Sequence, residues 1–276
     1  MPKTPVKTRD SAALLFVRVV SGLVFWQHGL EKLFGFAGAR PEPTLWAIRG
    51  VGGILETIGG PLLALGLFTR PVAFILSGEM AVAYFRAWAP RGFFPIANGG
   101  EEATLNTFLF LWLVTAGAGT WSVDGVLARR GGRSAAAPRL AAWEPHARSL
   151  LQRVVGFLMV LHGCRALFGV LLSVAGRRSA PALALDALPR GAGYVELVGG
   201  ILLLLGLWVR PTSVVLGLQA LAAYVLVAAP RTRWPIRNGG NEALLYVALF
   251  CALAVAGAGS YSLSSLIDRR GAHRSP

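Results

Sequence analysis

Histidines, glutamates and Asn-Gly-Gly loops stand out in this chain because each comes twice. His28 and His162 each precede a glycine late in a long apolar run. Glu56 and Glu196 each begin a Glu-x-x-Gly-Gly sequence inside another run. Asn98-Gly99-Gly100-Glu101-Glu102 and Asn238-Gly239-Gly240-Asn241-Glu242 open two more. At membrane depth, imidazole and carboxyl groups exchange protons or hydrogen-bond a ligand's head group. The plainer reading of each is structural: a His with a backbone partner, a neutral Glu between helices, a turn followed by Glu at a helix start. The candidates for ligand binding or proton exchange are therefore His28, Glu56, Asn98, Glu101, Glu102, His162, Glu196, Asn238 and Glu242, with no catalytic residue assigned. No second ligand stands at metal-site spacing from either His, so no metal is expected.

The elements that must position these groups are membrane spans. Of the residues, 54% are hydrophobic and 14% charged, against about a quarter charged in soluble domains. The charges cluster between apolar runs, several near the roughly 20 residues that cross a bilayer as a helix. Candidate spans are 11–33, 46–68, 71–88, 103–121, 150–175, 192–209, 211–229 and 243–263. The third and fourth are short for full crossings. Lys3, Lys7 and Arg9 precede the first run, but it exceeds a signal core and is read as an uncleaved span. The net charge of +14 lies at the ends of runs, where Lys and Arg meet headgroups rather than nucleic acid. Cys164 and Cys251 form no Cys-x-x-Cys pair, which leaves dithiol chemistry unsupported.

An internal duplication organises the whole. Glu56 to Gly60 matches Glu196 to Gly200 at an offset of 140, as do Leu65-Gly66-Leu67-x-x-Arg70-Pro71 and Leu205-Gly206-Leu207-x-x-Arg210-Pro211. The Pro-Ile-x-Asn-Gly-Gly-x-Glu-Ala stretches from Pro95 and Pro235 keep that offset, and turn chemistry does not explain their Pro-Ile. In the first span the offset is 134, pairing Gly22 with Gly156 and His28 with His162. The expected fold is an all-α membrane protein: eight transmembrane helices as two parallel-repeat four-helix bundles, 1–125 and 150–276, joined by a basic linker, 126–149. Four spans per copy make the repeat parallel. A small excess of Lys and Arg on the side of the termini favours both in the cytoplasm of a bacterial-type cell membrane.

Glu56 and Glu196 precede the Arg-Pro turns by 14 residues, about 21 Å of helix. They, the histidines and the Asn-Gly-Gly loops thus converge on the side opposite the termini. Arg18 and Glu79 lie deeper, and copy two has Gln152 and Gln219 in their places. Losing one charge of a pair strands the other, so Arg18 and Glu79 are expected to form a structural buried pair.

Neither a phosphate-binding loop, a dinucleotide fingerprint nor a Gly-x-Ser-x-Gly elbow occurs. The motifs resemble the DoxX family. The resemblance rests on His28-Gly29 with Lys32-Leu33-Phe34-Gly35, Glu56-x-x-Gly59-Gly60, Leu65 to Pro71, Asn98 to Glu101, and Gly117-x-Gly119 with Ser122 and Asp124. Copy two departs from it at Ala166, Asn241 and Ser264, which replace Lys32, Glu101 and Asp124. One branch of the family resembles the membrane subunit of thiosulfate:quinone oxidoreductase, others accessory subunits of membrane redox complexes, and a distant eukaryotic branch handles secretory cargo. The resemblance implies a subunit that binds a lipid-soluble ligand such as a quinone, or a lipid, beside redox-complex subunits, with no covalent cofactor. In that reading His28 and Glu56 meet the head group, Glu101 and Glu102 line the entrance, and Trp26, Trp46 and Trp88 offer flat surfaces or an interface belt. The alternatives are a scaffold or chaperone for a partner membrane protein and, ranked lower, a transporter.

Overall fold

The computed structural model describes residues 8–131, 137–169 and 190–264, and every regular element among them is a helix. Parts of the expected linker (132–136) and fifth span (170–175) lie outside the described residues. Copy one comprises α1 (Thr8–Phe34), α2 (Ile48–Leu65), α3 (Thr69–Ala83), the single turn α4 (Pro95–Asn98), α5 (Glu101–Ala116) and α6 (Val123–Arg129). A short α7 (Ala137–Ala141) leads to copy two: α8 (Glu144–Phe168), α9 (Arg190–Leu205), α10 (Val209–Ala223), α11 (Pro235–Asn238) and α12 (Asn241–Ala256). The end of the expected linker is therefore the first turn of α8. π-Helical turns, Tyr84–Trp88 and Tyr224–Ala228, extend α3 and α10.

Apolar solvent dictates this helical content, because a backbone in lipid must satisfy its own hydrogen bonds. Among the described residues, five helices are long and apolar enough to cross a membrane: Ser11–Phe34, Ile48–Leu65, Thr69–Arg91, Glu144–Phe168 and Val209–Ala228. The central α5 and α12 have only 16 residues each, about 24 Å of helix. The one-turn helices α4 and α11 extend them at the end opposite the termini, here called the distal side.

Close crossings of glycines join the first two helices of each copy. A Cβ on Gly60 would lie 2.7 Å from the Gly22 carbonyl oxygen, and one on Gly200 would lie 2.7 Å from that of Gly156. Such backbone approach is how small residues associate helices in lipid. Replacing Gly60 by leucine will separate α1 from α2 and destabilise the protein by about 1–3 kcal/mol. Detergent-driven unfolding measures this, and an unchanged midpoint would show that the crossing is not close.

The copies do not form two free-standing bundles. Within each, the first helix packs on the second and the third on the fourth; across them, α1 packs on α12, α8 on α5, and α5 meets α12. Each copy's first helix thus lies against the other's fourth. The buried apolar side chains form one cluster that takes in both copies. The packing pairs of one copy thus mirror those of the other, as a pseudo-two-fold relation between the halves would have them.

The expected Arg18–Glu79 pair is not formed. The Arg18 guanidinium donates to the carbonyls of Leu63 (3.4 Å), Ala64 (3.2 Å) and Trp121 (2.7 Å), with Asp124 near enough to favour its charge. Glu79 instead lies against Gly52, in the electrostatic field of Glu56 and Lys32. The depth estimate failed because α1, 27 residues long, overhangs the terminal side by several residues. Arg18 is therefore level with the turn from α2 to α3, about ten residues of helix below Glu79. The compensation argument holds with different partners. Arg18 and Asp124 become Gln152 and Ser264, and Gln152 donates to the Leu203 carbonyl (2.7 Å) as Arg18 does to that of Leu63. Asp124 also accepts from the amides of Phe68 and Thr69, both at 2.9 Å, which secures a turn where Phe68 has a φ of 51°.

The Arg-Pro motif closes the opposite end of the fourth helix. The Arg70 guanidinium donates to the carbonyls of Val114 and Thr115 at the α5 C-terminus, where orphan carbonyls and the helix dipole favour a cation.

Candidate functional site

The distal loops explain their own sequence. Pro95 opens α4, where a missing N–H is harmless, and its carbonyl accepts from Gly99 and Gly100. Ile96 is buried, which accounts for the Pro-Ile pair in copy one. Gly99 has a φ of 84°, and a Cβ on Gly100 would strike the Tyr84 ring at 2.7 Å. The Asn98 side chain accepts from the Gly100 amide (2.7 Å) and donates to the Gly92 carbonyl (2.8 Å). Asn238 repeats both bonds, to Gly240 (2.8 Å) and Thr232 (2.9 Å). Both asparagines therefore hold their loops together. Their effect is to start α5 and α12 where the acidic residues meet the histidines.

Three ion-paired groups gather there. His28 Nε2 of α1 lies 2.7 Å from Glu102 Oε1 of α5, and 2.9 Å from Asn241 Nδ2 of the other copy's α12. His162 Nε2 of α8 lies 2.7 Å from Glu101 Oε1 of α5, across the copies. The Tyr246 hydroxyl donates to that same carboxylate oxygen at 2.5 Å. In the third group Lys32 donates to Glu56 at 2.6 Å, joining α1 to α2, with Glu79 of α3 behind.

Copy two rearranges the third group. Ala166 and Gln219 replace Lys32 and Glu79, and Gln219 donates to Glu196 at 2.7 Å. The amide places a donor on the glutamate where copy one has a second carboxyl group. The cation moves one position: Arg165 stands where copy one has Glu31, and interacts electrostatically with Glu101, Glu242 and Glu196. Glu242 lies in that same field of charges.

The candidates are thus brought together, apart from the two loop asparagines, but the copies differ in access. The side chains of His28 and Glu102 are 23% and 24% exposed, whereas those of His162 and Glu101 are each 2% exposed. The imidazole of copy one lies in an open pair with Glu102 of its own copy, and that of copy two in a sealed pair with Glu101 of copy one. Lys32, Arg165, Asn241 and Tyr246 were not singled out as site residues from the sequence. The joint loss of Lys32 and Glu79 between copies was the signal for the first; the cross-copy contacts of the others have none. Trp26 and Trp46 are exposed on the outer surface, and Trp88 packs against the Gly99-Gly100 loop, so these three tryptophans do not enclose the charged groups. Among the described residues, no three of His, Cys, Asp and Glu are arranged to hold a metal ion.

The DoxX family model matches residues 13–88 and 149–229, one stretch in each repeat. An uncharacterized protein of Haemophilus influenzae is 47% identical over 121 residues, 40% of this chain and 87% of that protein. An uncharacterized membrane protein of Mycobacterium tuberculosis is 27% identical over 135 residues, 43% of this chain and 83% of its own. Both relatives are about as long as one repeat. No solved structure matches the chain.

Proposed function

The chain belongs to the DoxX family, and from that premise we propose that it is a membrane subunit binding a lipid-soluble quinone-class ligand at His28 and Glu102. One observation carries the reading: this imidazole–carboxylate pair is about a quarter exposed, while the other, His162 with Glu101 across the copies, is closed. Intramembrane ionisable groups are costly and need a partner or a purpose. A pair left open in the membrane has both a partner and a free face. His28 and Glu102 can pass one proton between them, and Lys32 stands one helical turn from His28, bonded to Glu56. A quinone head group takes up or releases protons as it is reduced or oxidised, and this arrangement supplies them; the electrons would come from a partner redox subunit. The setting is a bacterial-type inner membrane with both termini cytoplasmic.

Purification in mild detergent from quinone-containing membranes, followed by mass spectrometry of the extract, tests this. Wild-type protein should carry quinone, and His28→Ala and Glu102→Gln should lose most of it while staying folded. Quinone-free wild type, or variants that retain the full amount, would refute the reading; partner proteins co-purifying in place of quinone would favour a scaffold.

A further inference from the structure

The two histidines are followed by opposite charges one turn toward the distal side. Glu31 comes three residues after His28, and Arg165 holds the matching place after His162. Both lie in the last turn of a helix, α1 or α8, where the dipole favours a cation and disfavours a carboxylate. Lys32 and Arg165 obey that rule. Glu31 does not, so helix stability does not account for it. Among the described residues, His28 is the one basic side chain within ion-pairing range of its carboxylate.

The imidazole of His28 is engaged on one side. Its Nε2 stands 2.7 Å from Glu102 Oε1, and the Asn241 amide closes the same side at 2.9 Å. A carboxylate accepts and cannot donate, so Glu102 holds the ring proton on Nε2. Nδ1 then carries the lone pair, with Glu31 Oε2 3.9 Å away. That is beyond a hydrogen bond, and the two side chains are 23% and 28% exposed. Nδ1 is thus the ring atom left to a ligand or to water. The other charged groups around the ring, Glu56 from α2 and Lys32 from α1, are bonded to each other.

We propose that His28 exchanges protons through Nδ1, and that Glu31 relays them between Nδ1 and water on the distal side. A ligand hydroxyl against Nδ1 gives up its proton there: the O–H bond breaks, its electron pair stays on the ligand oxygen, and an N–H bond forms. The Glu102 carboxylate stabilises the imidazolium that results. The Nδ1 proton then passes to Glu31, across a gap that one water or a small rotation closes, and leaves to the distal water. The reverse order delivers a proton to a ligand oxygen. The identity of the ligand rests on the quinone reading above, to which this adds the ring atom and the exit residue. Arginine stays protonated, so Arg165 offers no such relay in copy two, where His162 is sealed as well.

Nuclear magnetic resonance of the purified full chain, isotopically labelled on its histidine nitrogens, tests the proposal, with His28→Gln identifying the signals of this ring. In wild type the neutral ring should carry its proton on Nε2 and leave Nδ1 bare. Where the ring is charged, Glu31→Gln should slow exchange of the Nδ1 proton with water about tenfold or more, with the melting temperature unchanged. Glu31→Asp keeps the carboxylate and should restore most of the rate. Added decylubiquinol should move the Nδ1 signal and leave that of Nε2 in place. A neutral ring protonated on Nδ1, an exchange rate in Glu31→Gln within about twofold of wild type, or a ligand shift at Nε2 instead would overturn the proposal. Wild type that binds no decylubiquinol would remove the quinone reading alone, because the tautomer and the exchange rate are read without ligand.

Discussion

Replacing Glu101 by alanine will destabilise the folded protein by about 3–5 kcal/mol, the usual loss when one member of a buried charged pair is removed. Glu101 belongs to copy one, yet its carboxylate serves two residues of copy two, His162 at 2.7 Å and Tyr246 at 2.5 Å. Both side chains of the His162–Glu101 pair are 2% exposed, so water cannot take over the lost bonds. The imidazole and the phenol both lose the carboxylate oxygen that joins them. Glu102→Ala breaks a pair of the same length that is about a quarter exposed, and should lose only about 1 kcal/mol. Unfolding by SDS in mixed micelles measures both. Equal losses would mean that Glu101 is not a bond between the copies.

Lysine 32 to alanine comes next, at about 3 kcal/mol, discounted because Lys32 is partly exposed. Its ammonium is bonded to Glu56, and Glu79 stands behind Glu56. Without Lys32 these two carboxyl groups share a buried site with no bonded cation. The second substitution Glu79→Gln should recover at least half of the loss, because copy two holds Glu196 with Gln219 beside Ala166 in this way. Recovery is incomplete if Arg165, which copy two adds nearby, supplies part of the stabilisation. A double variant no more stable than Lys32→Ala would show that the acids are not energetically joined. A thermodynamic cycle over the four proteins gives the coupling directly.

Both predictions rest on comparing the copies, and the comparison had to be corrected in one respect. The sequence alone supports the principle that charges vanish in balanced sets. It also suggests pairing Arg18 with Glu79, because both become amides. Two balanced sets disappear, however, and an alignment has no way to say which cation belongs to which anion. Arg18 goes with Asp124 because a helix that overhangs the bundle carries Arg18 down to the turn between α2 and α3. Glu79 goes with Lys32 and Glu56 because α2 and α3 form a hairpin that brings residues equally far from that turn side by side.

The relatives sharpen what the duplication means. Each is about the length of one repeat, whereas here the His28 and His162 groups both draw residues from the two copies. Fusion makes the two halves of such an arrangement free to differ. Here one position has become a sealed contact and the other remains open.

By itself the sequence determined that this is a duplicated helical membrane protein whose polar groups collect on one side. Those features follow from local rules: apolar length makes a span, offset identities reveal a repeat, and distance from a turn places a residue along its own helix. Turn chemistry also made the Asn98 and Asn238 loops legible. Only the tertiary structure decided that α1 packs on α12 and α8 on α5, which divides the candidates into an open pair and a closed one. The physical reason is that lateral order among helices leaves almost no trace in sequence. Lipid-facing and helix-facing surfaces are both apolar, so periodicity does not distinguish them. The polar contacts that select the neighbour, such as Glu101 with His162 and Tyr246, join residues 61 and 145 positions apart.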